Sequence, residues 1–302
     1  MRLNNSGKRA SFAAAYKVVV MSRHPVEPAK PETEARGRAS HEGEAVLAIE
    51  NASFAYEAES LVVRDFTAAL ESAQLTALLG PNAAGKSTLL KGMLGQLTPT
   101  RGTIRLAGTP ITALSPRERA RSISYVPQTG SVSFGFTVRE VVAMGRYAAG
   151  RRLDDDAVDR AIEACDLQTE ADRAFSHLSG GQQQRVILAR AMAQSQGGGR
   201  VMLADEPGSH MDLWHVHHTM ELFRKLARDD GLAVLTVVHD LNLAARYADH
   251  VWLMHRGQLV ADGPWHEVLT PDNLSPIYGV TLTNMARAGD RPVFRVEPGD
   301  TL

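Results

Sequence analysis

The feature that most constrains this chain is a short glycine-containing loop that begins at residue 80. Residues 80–88 have the sequence Gly-Pro-Asn-Ala-Ala-Gly-Lys-Ser-Thr, which completes the pattern GxxxxGK[ST]. An apolar run at 75–79 precedes the loop, and a helix-compatible run at 87–94 follows it. A strand, a loop and a helix in this order direct backbone N–H groups and a helix N-terminus at phosphate groups. The sequence therefore predicts an α/β domain with a phosphate-binding P-loop.

The pattern also predicts what each loop residue does. The Lys86 ammonium is expected to reach the β- and γ-phosphates, and the Ser87 hydroxyl to ligate Mg²⁺. The remaining loop residues are expected to cradle the phosphates of a nucleotide: Gly80, Pro81, Asn82, Ala83, Ala84, Gly85 and Thr88.

Composition narrows the class of protein further. The formal net charge of −1 over 302 residues gives no basic surface for nonspecific nucleic-acid binding. No apolar run approaches the roughly 20 residues that a membrane-spanning helix needs, so we expect a soluble chain that reaches a membrane through a partner. A single cysteine, Cys165, excludes an internal disulfide and fits a reducing cytosol.

Further motif residues follow in one order along the chain. They are Tyr56, Gln128 after the apolar run 123–127, Leu-Ser-Gly-Gly-Gln-Gln-Gln-Arg at 178–185, Asp205 and Glu206 at the end of the apolar run 201–205, Asp212 in the next turn, and His239 at the end of the apolar run 235–238. This order resembles the ATPase subunit of ATP-binding cassette (ABC) transporters.

The resemblance covers residues 46–279 and implies a domain organisation. It implies a P-loop NTPase (RecA-like) core with an antiparallel β subdomain and a helical subdomain inserted at about 129–195. We predict a disordered tail at 1–45 and a short β extension at 280–302. The stretch 2–20 is basic and free of acids, but Lys17 interrupts its apolar run and no clear small-residue cleavage site follows. We therefore expect a flexible tail, with Met21 as an alternative start, rather than a secretion signal.

The carboxylates and the resemblance together predict a hydrolytic site. Asp205 ends a buried strand and is suited to hold Mg²⁺, whereas Glu206 is suited to polarise the attacking water. The resemblance implies that His239 contacts the γ-phosphate, that Gln128 ligates Mg²⁺ and senses the γ-phosphate, and that Tyr56 stacks on adenine. The predicted catalytic residues are Glu206, His239 and Lys86, and the predicted metal ligands are Ser87, Gln128 and Asp205.

A second anion site is predicted at Ser179, Gly180, Gly181 and Gln182, where a helix running from 182 to about 192 begins. The resemblance implies that this site binds the γ-phosphate of an ATP held by a second copy of the chain. Two copies then enclose two ATP molecules head to tail, and Asp212 lies at the same interface.

The other elements are predicted from periodicity and capping signals. We expect strands at 46–49, 51–56 and 61–70, a helix at 115–121 capped by Ser115, a helix capped by Thr137, a helix with Val158, Ile162 and Cys165 on one face, a helix at 241–248, and hairpins at 251–261 and 280–296.

Four positions depart from the pattern of the resemblance. Ala83 stands where glycine is usual, and a positive φ there would cost alanine about 1 kcal/mol. Gly208 replaces a common threonine, and His210 and Met211 replace a frequent Ala-Leu pair. We expect these changes to affect the interface turn and to leave every catalytic group in place.

A histidine cluster at His210, His215, His217 and His218 suggests a metal or haem site. His215 and His218 share a helix face while His217 does not, and no cysteine accompanies them. A solvated polar face is the favoured interpretation, with metal binding as the alternative.

Segments 136–146, 238–242 and 267–274, followed by Tyr278, resemble ATPases of importers for iron–siderophore complexes, haem and cobalamin. These systems combine two ATPases with a permease dimer at the cytoplasmic face of the inner membrane and an extracytoplasmic binding protein. An iron–siderophore importer is favoured, then haem or cobalamin, with zinc or manganese lower. An exporter ATPase, a DNA-repair or translation ATPase and a non-hydrolysing regulatory module stay open.

Overall fold

A computed structural model describes residues 45–56, 60–130, 132, 135–150, 155–196, 198–287 and 289–301. Except for Ala45, the tail predicted at the N-terminus lies outside these residues. Every helix in the described ranges is too short or too polar to cross a lipid bilayer.

One sheet is antiparallel and four-stranded. Its strands, in spatial order, are β2 (Leu61–Glu71), β1 (Ala45–Ala55), β4 (Arg101–Leu106) and β5 (Thr109–Pro110). The two early strands predicted from the sequence are one strand, so that prediction was wrong in detail. The backbone at Asn51 adopts φ +48° and the register shifts beside it, which is how the ladder passes the polar Glu50-Asn51 pair without ending.

The second sheet is mixed and six-stranded. Its spatial order is β10 (Gln258–Pro264), β9 (His250–His255), β3 (Gln74–Leu79), β8 (Ala233–Val237), β7 (Val201–Asp205) and β6 (Ile123–Val126). All of these strands are parallel except β10, which pairs antiparallel with β9 and forms the predicted hairpin.

The helices in chain order are α1 (Lys86–Met93), α2 (Pro116–Ser122), α3 (Val138–Ala143), α4 (Asp155–Ala164), α5 (Gly180–Ser195), α6 (Leu213–Arg228), α7 (Leu241–Tyr247), α8 (Trp265–Val268) and α9 (Pro271–Tyr278). Short 3₁₀ helices lie at Ile111–Ala113, Met144–Ala149, Gln168–Glu170 and Phe175–His177. The chain ends in a hairpin of β11 (Val280–Asn284) and β12 (Phe294–Thr301).

Local capping explains where several helices begin. Ser115 and Thr137 each form a capping box with the glutamate three residues later, as the sequence indicates. Helix α5 begins at Gly180 rather than at the predicted Gln182. The Ser179 side chain accepts the N–H of Gln182, and the Gln182 side chain accepts the N–H of Ser179, so this reciprocal pair fixes the helix start before the glycines.

The six-stranded sheet separates two apolar cores. On β3, Leu75 and Leu79 face the core shared with α3–α7, whereas Leu78 faces the core shared with α1 and the antiparallel sheet. Met202 and Leu203 on β7 divide in the same way. Burial on both faces is typical of parallel strands and accounts for their nearly unbroken apolar sequence.

Strand register brings four chain segments to one edge of this sheet. Leu78 and Asp205 both pair with Val237, and Val126 pairs with Ala204, so β3, β6, β7 and β8 end almost level. Ligands of open α/β sheets bind outside the carboxyl ends of the strands. The segments that follow these four strands therefore form the candidate site.

Gly145 provides a test of this packing. A Cβ added there would lie 2.2 Å from the carbonyl oxygen of Arg190 on α5. Gly145→Ala is expected to lower the free energy of unfolding by about 1–3 kcal/mol, because the two segments must separate to admit the methyl group. Gly263→Ala is the control, since its added Cβ meets its nearest atom at 3.4 Å. Urea unfolding measures both, and equal stability of the two variants would contradict the packing.

Candidate active site

The loop after β3 has the backbone of an anion cradle. Gly80 and Gly85 adopt φ +146° and +100°, which only glycine adopts readily, and Ala83 adopts φ +63°. The Lys86 ammonium donates to the carbonyl oxygens of Gly80 at 2.6 Å and Pro81 at 2.9 Å. Burial lowers the pKa of Lys86, while the charges of Glu206 and Asp205 raise it. The ammonium thus sits inside the loop, beside the carboxylates that follow β7.

Asp205 has the chemistry of a cation ligand. Its Oδ1 atom is buried and has no hydrogen-bond partner within the described part of the chain. Burial raises the pKa of Asp205, and the neighbouring Glu206 charge raises it further; a hydrogen bond with the Ser87 hydroxyl lowers it. A carboxylate and a hydroxyl side by side are hard oxygen donors of the kind that Mg²⁺ prefers, so Asp205 and Ser87 fit that ion.

Glu206 is the centre of a network that joins three strand ends. The Gln128 amide, after β6, donates to Oε2 of Glu206 at 2.7 Å. Nε2 of His239, after β8, hydrogen-bonds Oε1 of the same carboxylate at 2.5 Å. The Glu206 backbone is left-handed, with φ +46°. Strained non-glycine residues of this kind cluster at functional sites.

Tyr56 lies beside the helix that follows the P-loop. Its hydroxyl is 3.4 Å from Oγ1 of Thr88, and the Lys91 ammonium lies 5.4 Å from its ring centroid. The side chain is 57% exposed, so its ring face is accessible. This position is compatible with the predicted stacking on adenine, which stays a prediction.

The second predicted anion site forms a concavity of its own. It has a volume of about 490 Å³ and is lined by Ser179, Gly180, Gly181, Gln182, Arg185, His210, Met211, Asp212 and His215. A Cβ on Gly181 would lie 2.9 Å from the carbonyl oxygen of His210, so glycine permits this close approach. Gly181 and Asp212 therefore line one concavity, and the phosphate loop adds no residue to this lining.

Three consecutive glutamines of α5 form different hydrogen bonds. Gln182 caps the helix and donates to Glu170 at 3.0 Å. Gln183 donates to the carbonyl oxygens of Phe175 and Leu178. Gln184 donates at 2.9 Å to the carbonyl oxygen of Pro127, the residue before Gln128. Sequence analysis missed this last link between α5 and the strand end.

The turn before α6 contains Gly208, one of the departures from the family pattern, and ends at Asp212. Asp212 caps α6 by accepting the N–H of His215 at 2.9 Å, and these hydrogen bonds lower the pKa of its carboxyl group. A Cβ on Gly208 would lie 2.9 Å from the Val216 side chain. Gly208 therefore lets this turn pack directly on α6, which a threonine could do only if Val216 moved.

Three histidines of the cluster hydrogen-bond to different groups of the same chain. Nδ1 of His215 bonds Asp212, Nδ1 of His217 bonds the Tyr247 hydroxyl at 2.8 Å, and Nε2 of His218 bonds the Ala164 carbonyl at 2.9 Å. The Trp214 ring stacks on His218. Within the described ranges, no three His, Cys, Asp or Glu side chains are grouped so as to hold a metal ion.

One contact to the P-loop comes from far along the chain. The Tyr278 hydroxyl, at the end of α9, accepts the Gly80 N–H at 3.1 Å. Sequence analysis used Tyr278 only for its resemblance to importer ATPases. The two residues are separated by 198 positions, and no local pattern links them.

Comparisons with known proteins identify the family. The ABC transporter family profile matches residues 63–209. The hemin import ATP-binding protein HmuV of Pseudomonas entomophila is 44% identical over 227 residues, which cover 74% of this chain and 89% of that protein. The chain belongs to the ABC transporter ATP-binding family, whose members bind and hydrolyse ATP.

Other comparisons agree with this assignment. The cobalamin import ATP-binding protein BtuD of Halobacterium salinarum is 43% identical over 217 residues, which cover 70% of this chain and 54% of that protein. An inward-facing metal-chelate type ABC transporter matches with a TM-score of 0.70 at 28% identity, covering 85% of this chain and 98% of that one. A dimeric ATP-binding cassette bound to ADP and Pi shares the fold, with a TM-score of 0.66 at 23% identity, 72% coverage of this chain and 98% of that one.

Ala83 provides a test of the loop backbone. Because its φ is +63°, Ala83→Gly is expected to raise the free energy of unfolding by about 1 kcal/mol. Ala84→Gly is the matched control, since Ala84 is buried and lacks a positive φ; this variant should lose stability. Thermal unfolding of both variants checks the result. Destabilisation by Ala83→Gly would contradict the left-handed backbone at this position.

Proposed function

We propose that this chain is the ATPase subunit of an ABC importer that takes up haem. The hydrolytic part rests on one observation: the Glu206 carboxylate is held between Gln128 and His239, directly beside Asp205 and Lys86. The substrate part rests on the identity to hemin import proteins.

The chain's own groups account for hydrolysis. Backbone N–H groups of the loop and the Lys86 ammonium neutralise phosphate charge, which is the main requirement of phosphoryl transfer. Glu206 orients and polarises the attacking water, and His239 holds that carboxylate while presenting its imidazole to the γ-phosphate. Tyr56 supplies an exposed ring for the adenine.

Mg²⁺ is the proposed metal. Ser87 and Asp205 would hold it, together with the side-chain oxygen of Gln128, whose amide nitrogen bonds Glu206. When bound, the ion would neutralise phosphate charge.

The catalytic unit is a head-to-tail homodimer. In one chain, the concavity at Ser179, Gly181 and Asp212 shares no lining residue with the P-loop. The first N–H groups of α5 attract an anion, so a second copy supplies the γ-phosphate that this half-site binds. Two copies thereby complete two sites.

A permease is the proposed membrane partner. The segment 136–146 is the proposed contact, and the exposed side chains of Met144 and Tyr147, at the 3₁₀ turn that ends this segment, support it. Through this partner the chain lies at the cytoplasmic face of the inner membrane. A binding protein outside that membrane delivers the substrate.

The relatives favour haem over the iron–siderophore complex that the sequence analysis ranked first. Cobalamin is the second candidate, because a cobalamin import protein is 43% identical to this chain. Both ligands are metal-chelating macrocycles, and the likeness to a metal-chelate type transporter fits either.

Glu206→Gln tests the catalytic proposal. Its side chain keeps the size of glutamate and loses the negative charge that polarises water. We expect ATP hydrolysis to fall by at least about a hundredfold, within the range of general-base catalysis, with ATP binding preserved. ATP should then drive a stable dimer, which gel filtration with and without ATP detects.

Lys86→Ala is the companion variant and is expected to abolish ATP binding. Normal nucleotide affinity in Lys86→Ala would refute the loop assignment. Hydrolysis at the wild-type rate by Glu206→Gln would exclude Glu206 as the base.

Deletion of the gene in the source organism tests the substrate. The deletion strain is expected to lose growth on haem as the sole iron source and to keep growth on an iron–siderophore complex. Uptake of haem and of cobalamin is measured in parallel. Loss of cobalamin uptake with haem uptake intact would replace the first candidate by the second.

Complementation of the deletion strain distinguishes loss of ATP hydrolysis from loss of coupling to the permease. The wild-type gene should restore uptake, whereas Glu206→Gln should not. Tyr147→Asp should keep ATP hydrolysis in the isolated chain and fail to restore uptake, because the side chain is 85% exposed and outside the nucleotide site. Full uptake with Tyr147→Asp would count against the proposed permease surface.

A further inference from the structure

The P-loop donates a hydrogen bond to a helix near the C-terminal end of the chain. Tyr278 is the last residue of α9, and its hydroxyl accepts the backbone N–H of Gly80 at 3.1 Å. Gly80 is the first residue of the loop. A residue outside the GxxxxGK[ST] pattern therefore bonds the backbone at the junction between β3 and the loop.

Gly80 is constrained from three sides. Its φ is +146°, and an added Cβ would lie 2.3 Å from the Met254 carbonyl oxygen on β9. Its own carbonyl oxygen accepts the Lys86 ammonium at 2.6 Å. The N–H of Gly80 thus bonds Tyr278 while its carbonyl holds Lys86, so the orientation of this one residue couples the two side chains.

Tyr278 is itself held firmly. Leu274, one turn earlier on α9, is fully buried, and Ser275 accepts the N–H of Leu282 at 3.1 Å. Gly279 ends the helix in a left-handed conformation, with φ +66°. Burial raises the pKa of Tyr278 to about 12, so its hydroxyl stays neutral in the physiological pH range.

We propose that Tyr278 is a positioning residue of the ATP site, which orients Gly80 and through its carbonyl the Lys86 ammonium before nucleotide binds. The inference rests on the proposed role of residues 80–88 as the ATP-binding loop. An ordered loop binds phosphate without first losing conformational freedom. Tyr278 contacts the loop backbone and not the reacting atoms, so it should affect binding rather than the chemical step.

Tyr278→Phe tests this role, because it removes the hydroxyl and keeps the ring. A net hydrogen bond between neutral groups corresponds to a change of about twofold to tenfold in an equilibrium constant. We expect the Kd and KM for ATP to rise by that factor with kcat unchanged, the pattern of lost uniform binding. Amide exchange of the nucleotide-free loop, followed in a peptide covering 75–85, should become faster.

Tyr247→Phe is the matched control. Tyr247 is a buried tyrosine whereas Tyr278 is half-buried, and the Tyr247 hydroxyl bonds His217 at 2.8 Å instead of the P-loop. This variant should keep the wild-type affinity for ATP and the wild-type exchange at 75–85, whatever its effect on Tm.

The outcomes separate this inference from the proposed function. If the wild-type chain does not bind ATP, the proposed function fails. If the wild type binds ATP and Tyr278→Phe binds it equally well, only the positioning role fails. Equal weakening by Tyr247→Phe would also overturn it, since loss of any hydrogen-bonded tyrosine hydroxyl would then explain the effect.

Discussion

The level ending of four parallel strands is the constraint on which the rest of this structure depends. The P-loop, Gln128, the Asp205–Glu206 pair and His239 are far apart in sequence and meet because β3, β6, β7 and β8 are in register. A slip of one residue would turn every side chain of a strand to its opposite face. Asp205 would then enter an apolar core, so the packing of both cores enforces the geometry of the site.

The Glu206 network shows how the site can be stable without nucleotide. A left-handed backbone at a non-glycine residue costs about 1–3 kcal/mol. Two hydrogen bonds to a carboxylate contribute about 1.5–3 kcal/mol each, which offsets that cost. Gln128 donates to Glu206 through its amide nitrogen, so under the proposed function its side-chain oxygen would be left for Mg²⁺ and the Glu206 carboxylate would stay oriented for the attacking water.

The predictable parts of the structure are those fixed by local interactions. The P-loop follows from an apolar strand and a complete pattern, and the helix starts at Ser115 and Thr137 follow from capping boxes. The start of α5 was misplaced because two glycines have low helix propensity, whereas the Ser179–Gln182 capping box decides the boundary. The contacts of Gln184 with Pro127 and of Tyr278 with Gly80 depend on tertiary packing and leave no local signal.

Because the P-loop and the start of α5 belong to separate half-sites, hydrolysis changes what holds the proposed dimer together. A helix N-terminus carries only about half a unit of positive charge, so the start of α5 holds an anion weakly by itself. Under the proposed function, the P-loop adds the full charge of Lys86 and its own N–H groups, and it keeps ADP after the reaction. In the proposed dimer, only the γ-phosphate bridges one copy's loop to its partner's helix. Hydrolysis thus removes the bridge while each chain retains its nucleotide, and the dimer opens.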